Sequence, residues 1–501
     1  MNDQPVRTKQ LKVGLEIHVE LQTRSKMFTR TPNVAHPEFE GADPNTLVDP
    51  VVAALPGSLP VMNKAAVEMS MMVGLALGCE ISEFSKWDRK NYYYPDLPKG
   101  YQISQYDLPL CLDGAYTIDS VHGDRRRIGI TRAHLEEDTG KLGHELPGGG
   151  SYPGSLVDLN RAGTPLLEIV TEPDFDHAED VVTFAQELRG LCRFLGVTQG
   201  VMQKGHMRFE PNINLEMVLD DGTVVKTPIV EVKNLNSFRA VLGAIQHEYD
   251  RQERAWREDG LVMGPGAKST RGWDDERLVT VLQREKEDAH DYRYFPDPDL
   301  VPVVVDRAGV EEVRSRIPEL PSSRRERYVR DHGLREKDAD VLLEERSVTE
   351  FFEAVVEHPD SGGDAAAVCK LLLNQIAKLA NERGCLIDQL GLEAAQVAGV
   401  VALRKEDRIG AQSIDPLLVR LSETDEPADA VAELAGMLVV RDDSQLEQWC
   451  LAAIEANAQA ADDVRSGKMA AIGRLMGHVM KASGGSADAK VVQAKLRELL
   501  G

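Results

Sequence analysis

The chain has few features of a secreted or membrane-bound protein. Its six cysteines stand singly, with no close pair, which argues against a disulfide framework and against a CxxC zinc site. The longest apolar run, near residues 69–79, is far shorter than the ~20 residues of a membrane span, and no signal-peptide pattern opens the sequence. We therefore expect a cytoplasmic protein that has no membrane partner.

Positive charge is also scarce. The formal net charge is −24 and the pI is near 5.0, so a broad nucleic-acid footprint is not expected, because counterion release needs clustered lysine and arginine. Residues 465–501 are the exception, with seven basic side chains against two acidic ones. This segment is either a solvated helical face or a local nucleic-acid-binding surface.

The chain is long enough for several domains. Its 501 residues exceed what one ordinary hydrophobic core organises. Strand-like alternation and dense turns mark residues 1–304, long helical patterns mark 305–429, and alanine-rich helices broken by glycines mark 430–501. We predict an α+β domain with an antiparallel-rich sheet, followed by an all-α linker domain and a small all-α tail domain.

Two segments alternate polar and apolar side chains without interruption. Residues 13–22 place Val, Leu and Ile on one face, and the other face carries Glu16 and His18. Residues 208–217 alternate in the same way, with Glu210 on the polar face. Because a strand has a side-chain period of two, both segments predict strands with one polar and one apolar face.

Further carboxylates lie inside or at the end of apolar strands. Glu168 is alone within 166–170, Glu231 is alone within 229–233, and an acidic run occupies 136–138. A buried carboxylate is costly unless it is paired, and converging carboxylates repel one another unless a cation lies among them. Oxygen ligands with one imidazole suit Mg²⁺ or Mn²⁺. The alternative, for any one strand, is the solvent-facing side of an antiparallel sheet.

An aromatic and basic segment is a candidate for binding a nucleotide. Residues 87–96 combine three tyrosines, among them Tyr93, with Arg89 and Lys90. Such side chains can stack on a base and clamp phosphates, or they can anchor a loop. Residues 288–294 are a similar mixture.

Together these blocks resemble a known family. They are residues 13–28, 86–110, 130–141, 156–174, 231–238, 291–302 and 467–483. In this order and over the whole length, they are similar to the B subunit of the glutamyl/aspartyl-tRNA amidotransferase.

The resemblance implies an ATP- and Mg²⁺-dependent ligase with glutamine as amido donor. An amidase-type A subunit would free ammonia, and a small C subunit would complete a heterotrimer. The B subunit would bind Glu-tRNA(Gln) or Asp-tRNA(Asn) and phosphorylate the side-chain carboxylate, which ammonia then displaces. The implied fold is a cradle-like catalytic domain, a helical domain and a tail that grips tRNA.

The resemblance also assigns roles to residues. It implies Glu16, His18, Glu137, Glu168 and Glu231 as catalytic and metal-binding residues, with Glu210 as a further ligand at a position where aspartate is usual. Arg89, Lys90 and Tyr93 are the cofactor-binding candidates, and Lys468, Arg474, Lys481 and Lys490 are the tRNA-binding candidates. Some members hold zinc on four cysteines; here those positions are Thr29, Thr31, Asp49 and Val52, so zinc is not expected.

One alternative belongs to a different class of protein. A non-catalytic tRNA-binding scaffold would leave all chemistry to its partners. Glu168 and Glu231 in apolar strands argue against it, because a scaffold has no need to bury carboxylates.

Overall fold

Two compact units make up the chain. The computed structural model describes residues 4–146, 150–285, 292–439, 443–483 and 487–501. One unit comprises residues 1–320 and the other residues 321–501.

The first unit is built on strands. They are β1 (Val6–Glu20), β2 (Glu80–Ile81), β3 (Phe84–Ser85), β4 (Asp88–Asn91), β5 (Tyr101–Ser104), β6 (Cys111–Asp119), β7 (Arg125–Glu137), β8 (Lys141–Glu145), β9 (Ser151–Asp158), β10 (Pro165–Thr171), β11 (Met207–Leu219), β12 (Val224–Lys226), β13 (Val230–Lys233), β14 (Ser269–Asp274), β15 (Val279–Glu285), β16 (Phe295–Pro296) and β17 (Val303–Val304). Its helices are α1 (Lys64–Ala76), α2 (Ala178–Phe194), α3 (Phe238–Asp259) and α4 (Arg307–Ser315).

A single large sheet organises this unit. Its strand order is β15-β14-β13-β11-β1-β10-β7-β6-β2, and β12 pairs with β11. Among the pairs described, only β13 and β14 run parallel, and helix α3 makes the crossover between them, as a parallel pair requires. The predicted antiparallel-rich α+β fold is confirmed.

The apolar side of the sheet forms the core. On β1, Val13, Ile17 and Val19 are completely buried, and side chains of α2 and α3, such as Phe184 and Ile245, belong to the same apolar cluster. Each such side chain contributes about 1.5–3 kcal/mol on burial. The two-residue period therefore fixes the register of β1 and turns Glu16 and His18 to the opposite side.

The second unit is helical. Its helices are α5 (Pro321–His332), α6 (Glu336–Leu342), α7 (Arg346–Glu357), α8 (Ala365–Leu371), α9 (Ala377–Arg383), α10 (Ala394–Lys405), α11 (Ile414–Leu421), α12 (Ala428–Leu434), α13 (Asp443–Ala456), α14 (Ala458–Arg465), α15 (Ile472–Ala482) and α16 (Ala489–Leu500). The described part of this unit contains two separate apolar clusters, one within 328–432 and the other within 446–500.

The division into three domains stays a prediction. Helix α4 follows residue 304 but belongs to the first unit, because Val313 is buried in the core of the sheet. Within the described ranges, no helix is both long enough and apolar enough to cross a bilayer.

Candidate active site

Three neighbouring strands, β11, β1 and β10, carry four of the predicted site residues side by side. Glu16 on β1 lies opposite Glu210 on β11, and His18 lies opposite Glu168 on β10. Directly opposite residues of an antiparallel pair point to the same face, with Cβ atoms roughly 4.5–5.5 Å apart. The pairing therefore gathers these four side chains on the face away from the core.

Three carboxyls form what we call the carboxylate triad, Glu16, Glu210 and Glu231. One oxygen from each lies within 4.8 Å of the other two. Lys233 Nζ lies 2.5 Å from Glu210 Oε2 and 2.9 Å from Glu231 Oε1. The charge of Lys268 also acts on Glu16. Because two lysines face three carboxyls, the triad keeps an excess of negative charge when it is ionised.

A second group, the histidine triad, consists of His18, Glu136 and Glu168. Its ligand-type atoms also lie within 4.8 Å of one another. Glu168 Oε2 lies 3.5 Å from His18 Nε2 and 3.7 Å from His134 Nε2. His18 Nδ1 lies 3.8 Å from Glu210 Oε1, so this imidazole stands between the two triads.

The two triads differ in their electrostatics. Burial and the charges of Glu168 and Glu231 raise the pKa of Glu16. Burial alone would raise the pKa of Glu168 too, but His134 and His18 outweigh it and hold that pKa well below its usual range. Glu168 is thus stabilised as a carboxylate by two imidazoles, His18 and the neighbouring His134, whereas the balance of burial and charge at Glu16 favours its neutral form.

The donors of the carboxylate triad fit a hard divalent cation. Carboxylate and amide oxygens are what Mg²⁺ prefers. Burial, together with the charges of Glu168 and Glu231, raises the pKa of Glu16, and a bound cation would favour its ionised form. Asn212 Nδ2 donates to Glu16 Oε1 over 3.2 Å, while the buried Asn212 Oδ1 has no partner among the described residues. Asn212 thus offers a further ligand oxygen, which sequence reasoning did not single out.

Glu137 is placed away from both triads. Its Oε1 accepts from Lys99 Nζ and, over 2.9 Å, from the Ile103 amide. Glu136 and Glu137 follow one another on a strand and so point to opposite faces. Glu136 shares the face of Glu168, and its Oε2 lies 3.7 Å from Lys90 Nζ.

A buried charge cluster continues the polar face of β1. Glu20 and Asp138 are 3% and 5% exposed, and Arg208 Nη2 donates to Asp138 Oδ2 over 2.8 Å. Burial and the charge of Asp138 raise the pKa of Glu20 to about 8. Arg161 and Arg208, opposed by burial, lower the pKa of Asp138 to about 2, so Glu20 holds a proton and Asp138 stays ionised.

The nucleotide-binding candidates do not converge. Arg89 donates to Asp297 and Asp299 over 2.7 and 3.2 Å, and Tyr93 is 82% exposed. Lys90 reaches the histidine triad, and Glu136 raises its pKa. Residues 288–291 of the second aromatic segment lie outside the described residues.

The four tail candidates are exposed. Lys468 lies 3.1 Å from Asp463. Arg474, Lys481 and Lys490 lie on α15 and α16 with exposed side chains. These three have no ion-pair partner among the residues described.

The positions that carry cysteine in zinc-holding members are joined by hydrogen bonds. Thr29 Oγ1 donates to Asp49 Oδ2, and the Val52 amide donates to Asp49 Oδ1 over 2.9 Å. Two threonines, an aspartate and a valine do not supply the four sulfur or nitrogen ligands of a structural zinc site.

A further group of possible metal ligands consists of Asp176, His177 and Asp180. Its carboxyls are already paired with an arginine. Arg126 pairs with Asp176 through both guanidinium nitrogens and lies 3.3 Å from Asp180. The arginine occupies the place that a cation would take.

The fold and the site define a class of protein: a sheet domain that gathers carboxyl and imidazole side chains on one face, followed in the chain by a helical unit. Residues 11–311 match the GatB/GatE catalytic domain and residues 350–500 match the GatB domain. The chain belongs to this family, which confirms the resemblance seen in the sequence.

Relatives match over nearly the whole chain. The B subunit of the aspartyl/glutamyl-tRNA(Asn/Gln) amidotransferase of Thermomicrobium roseum is 45% identical over 97% of this chain and 98% of its own length. The proteins of the same name from Rhodopirellula baltica and Caldicellulosiruptor saccharolyticus are 42% and 40% identical. They cover 94% and 97% of this chain and 92% and 98% of their own lengths.

Proposed function

We propose that this chain is the B subunit of an aspartyl/glutamyl-tRNA(Asn/Gln) amidotransferase and holds the site where the misacylated side chain is activated and amidated. The observation that carries the proposal is the convergence of two triads on one sheet face within the matched catalytic domain. A scaffold gains nothing from burying these carboxyls, since buried charge is costly.

The reaction runs in two steps. A phosphoryl group moves from ATP to the Glu or Asp side chain on the tRNA, and ammonia then displaces phosphate from the acyl phosphate. A bound Mg²⁺ supplies neutralisation of phosphate charge, and Glu16, Glu210, Glu231 and Asn212 would hold it.

The remaining groups prepare the site around these ligands. Lys233 holds the carboxyls of Glu210 and Glu231 in place through its two short contacts. His18 orients Glu168 from one side, and His134 does so from the other. Lys90 beside Glu136 adds positive charge next to the histidine triad.

The proposal also covers the partner subunits, the location and the tRNA contacts of the chain. A glutaminase subunit and a small third subunit complete the complex in the cytoplasm, and the exposed basic side chains of α15 and α16 bind the tRNA. The division of labour agrees with the sequence prediction: chemistry in the sheet unit and tRNA affinity in the tail.

The test is ATP hydrolysis by the complex formed with its two partner subunits. Misacylated Glu-tRNA(Gln) and Asp-tRNA(Asn) are supplied separately, with and without Mg²⁺. We expect hydrolysis that needs both tRNA and metal and is lost in Glu231→Gln. The matched control is Glu216→Gln, on the same strand and face as Glu210 but roughly 20 Å along it and paired with Lys226.

A complex that binds tRNA but hydrolyses no ATP with either substrate contradicts the proposal and favours the scaffold. Equal activity of the Glu231→Gln and wild-type complexes contradicts the site assignment.

A further inference from the structure

Two tyrosines stack on each other beside the histidine triad. The ring centroids of Tyr106 and Tyr294 lie 4.2 Å apart, and their planes differ by 8°. Tyr106 is 57% exposed. Tyr294 therefore covers one face of the Tyr106 ring. No other ring among the described residues stacks on Tyr106, and more than half of its surface stays exposed.

The pair lies near the triad. Ser104 Oγ lies 3.3 Å from Glu136 Oε2, and Tyr106 follows Ser104 by two residues, which is at most about 7 Å of chain. Burial raises the pKa of Tyr294 to about 12, and the charges of Lys90 and Glu136 act on the same hydroxyl. Tyr294 thus lies within electrostatic reach of Lys90 and Glu136, and Tyr106 lies two residues from Ser104, which contacts the same glutamate.

Loop anchoring alone does not account for the exposure of Tyr106. An aromatic ring that only packs gains from being buried. Trp87, close by in the sequence, shows this arrangement: it is 2% exposed and meets the edge of Phe28 with centroids 5.2 Å apart. Tyr106 instead presents a rigid ring, already held in one orientation by Tyr294, to solvent.

We infer that the open face of Tyr106, backed by Tyr294, stacks an adenine base of a substrate. This inference rests on the proposed function, whose reaction has two carriers of adenine: ATP and the 3′-terminal adenosine of the tRNA. Stacking needs only the π face of the base, and a second ring behind the first keeps the platform from turning away. Lys90 lies 3.7 Å from Glu136 and close enough to Tyr294 for its charge to act on that hydroxyl, and it would meet the phosphates attached to such a base.

The experiment compares Tyr106→Ala, Tyr106→Leu and Tyr106→Phe in the complex with both partner subunits. The KM values for ATP and for misacylated tRNA are measured in turn, and equilibrium binding of each ligand is measured without turnover. Loss of one base stack should weaken binding about tenfold in the Ala and Leu variants, while the Phe variant stays within about twofold of wild type. Tyr152→Ala, another exposed tyrosine on the β8–β9 hairpin, is the control.

Each outcome of this experiment either supports or overturns the inference. Weaker binding of ATP alone identifies the base as that of ATP, and weaker binding of tRNA alone identifies it as the terminal adenosine. Unchanged binding of both ligands in an active complex overturns the inference and leaves the proposed function intact. A wild-type complex without tRNA-dependent ATP hydrolysis overturns the proposed function itself.

Discussion

The sheet face and the helical tail handle charge in opposite ways. On the sheet, Glu16, Glu168 and Glu231 are largely buried, lie close to one another and have lysine or histidine neighbours. On the tail, Arg474 and Lys481 extend into solvent. Desolvated charges interact strongly and shift each other's pKa values, whereas exposed charges act at longer range and are screened by salt.

This difference separates two contributions to one reaction. The buried carboxyls can change the rate of a chemical step, because their interactions are strong where water is excluded. The exposed basic side chains can change only how often and how tightly an anionic partner arrives. The predictions below test that separation.

The largest effect is expected from the carboxylate triad. Glu231→Gln removes the negative charge that contacts Lys233 and Thr270, and we expect kcat for amidation to fall about 100- to 1,000-fold. The Kd for tRNA should stay within about twofold of wild type, because the tail is unchanged. A variant that loses tRNA binding and activity together would contradict the separation between the chemical step in the sheet and binding by the tail.

A smaller effect should separate two adjacent glutamates. Glu136→Gln removes the carboxylate that faces Glu168 and Lys90, and we expect a 10- to 100-fold loss of kcat, roughly that of an outer partner of a metal site. Glu137→Gln instead weakens the contact with Lys99. We expect it to lower the melting temperature and to leave kcat close to that of wild type. The opposite order of effects would support Glu137 as the ligand that the family resemblance implies.

These two residues show where sequence reasoning stops. Alternation in β1 and β11 placed Glu16, His18 and Glu210 on one face, because the period of two admits only one arrangement when one face is apolar. Glu136 and Glu137 are consecutive acids at a strand end, so the pattern does not say which one faces the site. The pairing of Glu168 with His134 shows that Glu136, two residues from His134, is the one on the face of Glu168. That contact joins residues more than thirty positions apart.

The same limit applies to the aromatic segments. The sequence marks Arg89 as a phosphate ligand, but Asp297 and Asp299 arrive from some two hundred residues away and pair with it. The stack of Tyr106 on Tyr294 depends on the same long-range pairing, in which Phe295 lies opposite Arg89. Local composition predicts the kind of side chain present, and only the topology determines its neighbours.

The tail should affect binding and not the rate of the chemical step. Replacing Arg474, Lys481 and Lys490 by alanine should raise the KM for tRNA about five- to tenfold with kcat unchanged. The slope of log Kd against log salt should fall by about one unit per side chain that contacts phosphate. The matched control replaces Arg330, Arg335 and Arg346, exposed arginines that pair with acids in the same unit, and should leave both quantities unchanged.

The smallest effect concerns stability and uses the proton on Glu20. Because the folded-state pKa of Glu20 is raised to about 8, folding retains a proton that the unfolded chain releases above about pH 4.3. Stability from this group is therefore full below that pH and is lost as pH rises to about 8. Glutamine keeps a donor toward Asp138 but does not titrate, so Glu20→Gln should match wild type near pH 5 and melt about 2–5 °C higher at pH 8.5.

Asp138→Asn gives the contrast that sharpens this test. With a pKa of about 2, Asp138 is ionised at both pH values, and its loss leaves the half-buried Arg208 without its carboxylate. The melting temperature should fall at pH 5 and at pH 8.5 alike, since breaking a buried pair is costly at any pH where both partners are charged. If instead Glu20→Gln shifts the melting temperature equally at both pH values, Glu20 holds no proton in the folded protein, and the buried face tolerates its charges as freely as the exposed tail does.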